Sequence, residues 1–159
     1  MSTKIQLIFS NSKLPLSPFI RFVTWSDWSH VGLLIDGNLV IESTISHKGV
    51  KTATIQDFKL RAKNWAIYDL QVNHPQAVLN AALTQIGRPY DKTGILGIGL
   101  HRDWQEEDSW FCSELVLWAL SKDYMPKYNP RFIHRGTPQH CLMICGDLVA
   151  CGLAKKKPL

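Results

Sequence analysis

The sequence predicts an α+β domain in which an antiparallel sheet is laid down first and helices follow. Three observations carry this: short apolar runs divided by turn signals before Pro75, helical spacing of apolar residues after it, and two Ser/Thr-Pro helix starts. With 159 residues, 45% of them apolar and 19% charged, residues 1–154 read as one domain with a core, and 155–159 as a basic tail.

Lys4–Phe9 opens the chain as a strand. Ser17-Pro18, a capping residue followed by proline at the first helical position, starts a helix through Phe19–Thr24. His30–Ile35 and Leu39–Ser43 flank Asp36-Gly37-Asn38, a hairpin signal. Gly49–Ile55 and Trp65–Val72 are further strands, separated by the polar stretch Asp57–Lys63. Leu79, Ala82, Leu83 and Ile86 recur at helical spacing and stop at Gly87. After a glycine- and charge-rich connection from Arg88 to Asp108, Ser109 is the expected cap of a helix to Leu120. Thr137-Pro138 begins the last helix.

Composition removes several classes of function. The longest apolar runs, Gly94–Leu100 and Leu115–Leu120, are far short of the ~20 residues that span a bilayer. The net charge of +5 includes Lys155, Lys156 and Lys157, and the other basic residues are scattered, so no specific nucleic-acid partner is expected. At most, the lysines offer peripheral contact with a membrane. The N-terminus lacks a secretory pattern, which predicts a cytoplasmic protein, or one that is phage-borne or exported by another route. Four cysteines in a chain this long do not make a disulfide framework. Cys141 and Cys145 beside His140 suggest a metal site, but no second pair completes it; free thiols and no metal are expected.

One cysteine differs from the rest. Cys112, in Ser109-Trp-Phe-Cys-Ser-Glu114, falls in the first turn of a helix, where unpaired N–H groups favour a thiolate and can hold an oxyanion. A thiol needs a base, and His30 at the start of a strand is the candidate. On that strand Val31, Leu33 and Ile35 face one way, and His30, Gly32 and Leu34 the other. A three-residue loop at Asp36–Asn38 pairs Ile35 with Leu39 and puts Glu42 diagonal to His30; a two-residue loop turns Glu42 away. A carboxylate on so apolar a strand needs a partner, and an imidazole is one. Trp25, Trp28, Trp104 and Trp110 are candidate walls of a cleft.

Ser29-His30-Val31-Gly32, a polar residue one hairpin later, Gly49-Val50, Gly87-Arg-Pro-Tyr90-Asp91 and Phe111-Cys112-Ser113-Glu114-Leu115-Val116 together resemble the permuted papain-like cysteine hydrolases. These are the YiiX/YaeF-like relatives of the NlpC-type peptidases, with lecithin:retinol acyltransferase-like enzymes as cousins. In the unpermuted relatives the cysteine precedes the histidine; here the order is reversed. The resemblance spans about residues 17–145. It implies Cys112 as nucleophile, His30 as base, Glu42 as the third polar residue, Tyr90 as an oxyanion or substrate contact, and no cofactor. The implied substrate is a peptide or peptidoglycan-like amide, with an acyl lipid as the alternative. A silent binding module of the same fold is the third reading. The segment Gly94 to Asp108 matches no substrate motif.

Overall fold

The computed structural model describes residues 4–13, 15, 17–91, 109–123 and 136–158. Six antiparallel strands form one sheet in the order β4-β3-β2-β1-β5-β6. They are β1 (Lys4–Ser12), β2 (His30–Ile35), β3 (Leu39–Thr44), β4 (Gly49–Thr54), β5 (Ala62–Gln71) and β6 (Ala154–Lys156). The helices are α1 (Ser17–Thr24), α2 (Ile55–Leu60), α3 (Pro75–Thr84), α4 (Cys112–Leu120) and α5 (Pro138–Ala150). Mixed helix and antiparallel sheet is the class the sequence predicts.

Strand alternation divides the core between the two sheet faces. Leu7, Phe9, Val31, Leu33 and Ile41 join Leu115, Val116 and Cys141 in the larger cluster, beneath α4 and α5. Ile8, Leu34, Val40 and Ile67 face the other way and are capped by Phe58 of α2. His30 opens β2 and so lies at a strand end, from which its ring reaches both the α2 side and the start of α4.

Several elements differ from expectation. β1 continues through Ser10–Ser12 because its backbone pairs with β5 there and with His30 of β2, a need independent of side-chain polarity. The polar stretch after β4 contains α2, capped by the Thr54 hydroxyl, which accepts from the Asp57 N–H at 3.1 Å. Ile55 therefore starts a helix rather than ending a strand. In α3 the buried face is Val78 and Ala82, while Leu83 and Ile86 are exposed, so the predicted stripe is rotated. Lys155 and Lys156, read as tail, cover the edge of β5 opposite Asp69 and Tyr68. Ser109 does not cap α4; the helix begins at Cys112 with Phe111 as its N-cap. No helix among the described residues is long and apolar enough to cross a membrane.

Candidate active site

The hairpin decides where Glu42 points. Ile35 pairs with Leu39 across Asp36–Asn38, whose first two residues take positive φ of 49° and 71°. Continuing that register sets Glu42 across from Gly32, the three-residue-loop alternative. A Cβ on Gly32 would lie 2.6 Å from Val40 Cγ1 and 3.0 Å from the Ile41 carbonyl, so the missing side chain lets β3 close onto β2. Glu42, fully buried, then accepts from His30 Nε2 at 2.6 Å through Oε2. Nδ1 is left as the ring nitrogen free to face Cys112, whose sulfur is near enough to favour the His30 cation. Phe58 stacks on the imidazole at 5.5 Å between centroids.

A residue that sequence reasoning missed completes this cluster. Arg61, directly after α2, donates from a terminal guanidinium nitrogen to Glu42 Oε1, and His47 Nδ1 approaches the same oxygen at 3.9 Å. The signal for it was the spacing Thr54-x-x-Asp57, a helix-start pattern that places Phe58 and Arg61 at α2 and its end. Glu42 thus lies between an imidazole and a guanidinium. Burial opposes its ionisation, but His30 and then Arg61 outweigh burial and hold the carboxyl below its ordinary value.

His30 responds in the opposite sense. Burial disfavours its cation, yet the Cys112 sulfur and then Glu42 push its pKa from 6.5 up to about 10. A raised folded value stabilises the fold fully below the unfolded pKa of 6.5, and that gain disappears as pH rises to about 10. Removing the largest favourable partner should therefore cost most in acid. Cys112→Ala is expected to melt below wild type near pH ~6 and to approach it near pH ~10. A constant gap in Tm across that range, measured by circular dichroism, would contradict the pairing.

The start of α4 is held from three sides. Ser43, next to Glu42, donates its hydroxyl to the Trp110 carbonyl at 2.6 Å. Ser113 donates to the Gly136 carbonyl, and Glu114 Oε2 accepts from the Phe111 N–H at 3.0 Å. Phe111 has no side-chain oxygen to occupy the first-turn N–H groups beside Cys112. Burial, with Asp91 nearby, pushes Glu114 up to about 8 despite its bond from Phe111. Its carboxyl is therefore largely neutral at pH ~7. Glu114→Gln, which keeps the acceptor, should change stability by less than about 0.5 kcal/mol, and Glu114→Ala should cost about 1–2 kcal/mol. Equal losses in chemical denaturation would show that the bond to Phe111 is unimportant.

Tyr90 arrives through a close passage of the chain. A Cβ on Gly49 would lie 2.1 Å from the Arg88 carbonyl, so only glycine lets residues 88–90 run against β4, where Val50 N–H donates to Arg88 at 2.9 Å. Burial first, then charge at Cys112, Asp91 and Glu114, raises the Tyr90 pKa well above its ordinary value, so its phenol stays a donor. His30 and Tyr90 both line a cavity of about 300 Å³ that Arg61, Phe58, Ile20 and Ile45 also line. Cys112 itself is 1% exposed and does not line the cavity.

The remaining sequence candidates fall outside this site. Trp28 packs on Phe9, Trp110 on Trp118, and Trp25 is exposed; none of the three lines the cavity, and Trp104 lies outside the described residues. Most of the connection to Asp108, including Gly94 onward, also lies outside them. Cys141 and Cys145 are buried free thiols; burial raises Cys141 well above its ordinary value and Cys145 to about 12. His140 caps α5, its Nδ1 accepting from the Thr137 N–H at 3.1 Å.

A histidine strand that precedes a cysteine helix is the order that the resemblance to permuted papain-like enzymes implies. The model of a family described as "Permuted papain-like amidase enzyme, YaeF/YiiX, C92 family" matches residues 6–137, and the chain belongs to that family. Its fold is similar to that in the "Crystal structure of metalloprotein yiiX from Escherichia coli O157:H7, DUF1105", with a TM-score of 0.68. The two share 18% identity over 98% of this chain and 96% of that one. No curated protein matches the chain. Among the described residues no three His, Cys, Asp or Glu side chains gather as metal ligands.

Proposed function

We propose that the protein is a cysteine hydrolase that cleaves an amide through a thioester on Cys112. The observation that carries the reading is the contact between Glu42 and His30 Nε2 at 2.6 Å, with Cys112 at a helix start near enough to favour the His30 cation. In the resting site the His30 imidazole already holds the Sγ proton, and the thiolate attacks the carbonyl carbon. The carbonyl oxygen gains the displaced electron pair, and first-turn N–H groups with the Tyr90 hydroxyl stabilise it. Collapse breaks the C–N bond as His30 returns the proton to the leaving amine. Water, deprotonated by His30, then attacks the thioester and releases the acid. Glu42 keeps the ring oriented and balances its positive charge.

Peptide amides, including peptidoglycan-like ones, are the first substrate class, supported by membership of an amidase family. Acyl lipids are the second, supported by Ile20, Ile45 and Phe58 in the cavity beside His30. The test is product release from peptidoglycan fragments, acyl lipids and p-nitrophenyl esters, before and after alkylation of Cys112. Release that alkylation stops is the expected result. Release that persists when Cys112 is fully alkylated would overturn the thiol mechanism.

A further inference from the structure

Helix α1 forms one wall of the cavity and turns an unusual face to solvent. Its inward residues Ser17 and Ile20 are buried and line the cavity. Ser17 Oγ donates to Ser29 Oγ at 2.7 Å, which fixes the helix start beside the residue preceding His30. Outward, Phe19 is 43% exposed, Phe22 77% and Trp25 89%. A monomer in water gains nothing by holding three large apolar side chains in solvent on one short helix and the residue that ends it.

Trp25 makes the pattern harder to dismiss as incidental. It takes φ of 49°, the left-handed region that glycine occupies without cost and a bulky residue does not. The Ser26 N–H donates to the Arg21 carbonyl at 3.1 Å, the bond that closes a helix through a left-handed residue. Glycine would serve that turn better, yet the chain puts an exposed tryptophan there. Pro18, Arg21, Phe22 and Trp25 line one shallow groove, with Ser26 and Asp27 completing its rim. Arg21 Nε has no hydrogen-bond partner among the described residues. The helix sequence SPFIRFVT contains no acidic residue, and the chain as a whole carries +5.

Aromatic side chains on a basic protein, beside a guanidinium whose buried Nε is unpaired, complement the interface of an anionic bilayer, where ring and headgroup phosphate lie at the same depth. We propose that α1 seats the protein on an anionic lipid surface, with Phe19, Phe22 and Trp25 entering the interface and Arg21 meeting a headgroup phosphate. The cavity behind the helix then receives the acyl chain of a membrane lipid. This second part rests on the hydrolase reading above, whereas the seating does not.

The experiment is co-sedimentation with vesicles of phosphatidylcholine alone or mixed with phosphatidylglycerol, using Cys112→Ala so that binding is read without turnover. Binding to the phosphatidylglycerol vesicles in preference to phosphatidylcholine is the expected result. Trp25→Gly should weaken it about tenfold or more while the unfolding temperature holds or rises, because glycine suits the left-handed turn. Phe22→Ser should weaken it similarly. In the background with Cys112 intact, both variants should leave turnover of a short soluble ester unchanged. The seating is overturned if the parent protein does not bind phosphatidylglycerol vesicles, binds phosphatidylcholine equally well, or binds undiminished after both substitutions. It is also overturned if light scattering finds a dimer that Trp25→Gly dissociates, since the face would then be covered by a second copy. Loss of soluble-ester turnover on thiol alkylation reports separately on the hydrolase reading.

Discussion

Cys112→Ala and His30→Ala should each reduce turnover by at least about 10⁴-fold while leaving the sheet and helices folded, because in the proposed mechanism nucleophile and base act as one unit. Cys112 is at the first position of α4, and alanine fits its buried site without strain. His30 loses more on truncation, since its ring stacks on Phe58 and satisfies buried Glu42. His30→Gln is therefore the better structural control: it restores polar atoms beside Glu42 but cannot take a proton. Turnover on the substrate that acylates Cys112, with circular dichroism on each variant, checks both. Activity within tenfold of wild type in either alanine variant would remove that residue from the mechanism.

Glu42 and Arg61 should separate orientation from charge. Glu42→Gln can still accept from His30 and hold its tautomer, so a loss of about 10–1000-fold is expected, with Glu42→Ala worse. Arg61 acts through Glu42, as a positioning residue. Burial opposes Glu42 ionisation, and His30 and Arg61 together overcome it. Arg61→Met should lower turnover and also move the acid limb of the pH profile to higher pH, because a carboxyl held low loses part of what holds it there. Arg61→Lys should restore part of that position. An Arg61→Met enzyme with reduced turnover and an unmoved acid limb would mean the guanidinium supports only the local fold.

Local signals made much of this legible. Alternation in His30–Ile35, the Asp36-Gly37-Asn38 turn and the Thr137-Pro138 start were readable because short-range sterics and hydrogen bonding decide them. The turn also carried the register, and with it the meeting of His30 and Glu42. What escaped was decided by tertiary pairing. The Trp110 carbonyl tied to Ser43 and the parallel bridge from Tyr90 to Trp110 carry the chain past Ser109 before α4 can begin, so the apparent cap there was a false signal. Arg61 looked like one charge in a polar stretch until α2 laid it against Glu42. The Lys155–Lys156 pairing depends on the open edge of β5, more than 80 residues upstream.

The central claim is that a carbonyl group becomes bonded to the Cys112 sulfur. Intact-protein mass spectrometry after brief incubation with an activated acyl ester and an acid quench reads this directly. The expected spectrum shows one added acyl group, mapped by peptide digestion to Cys112 and absent from Cys112→Ala. It should also be strongly reduced in His30→Ala, whereas Cys141 and Cys145, buried and held as thiols, remain unmodified. Product release with no acyl group ever found on Cys112, or acylation confined to exposed Cys151, would contradict it.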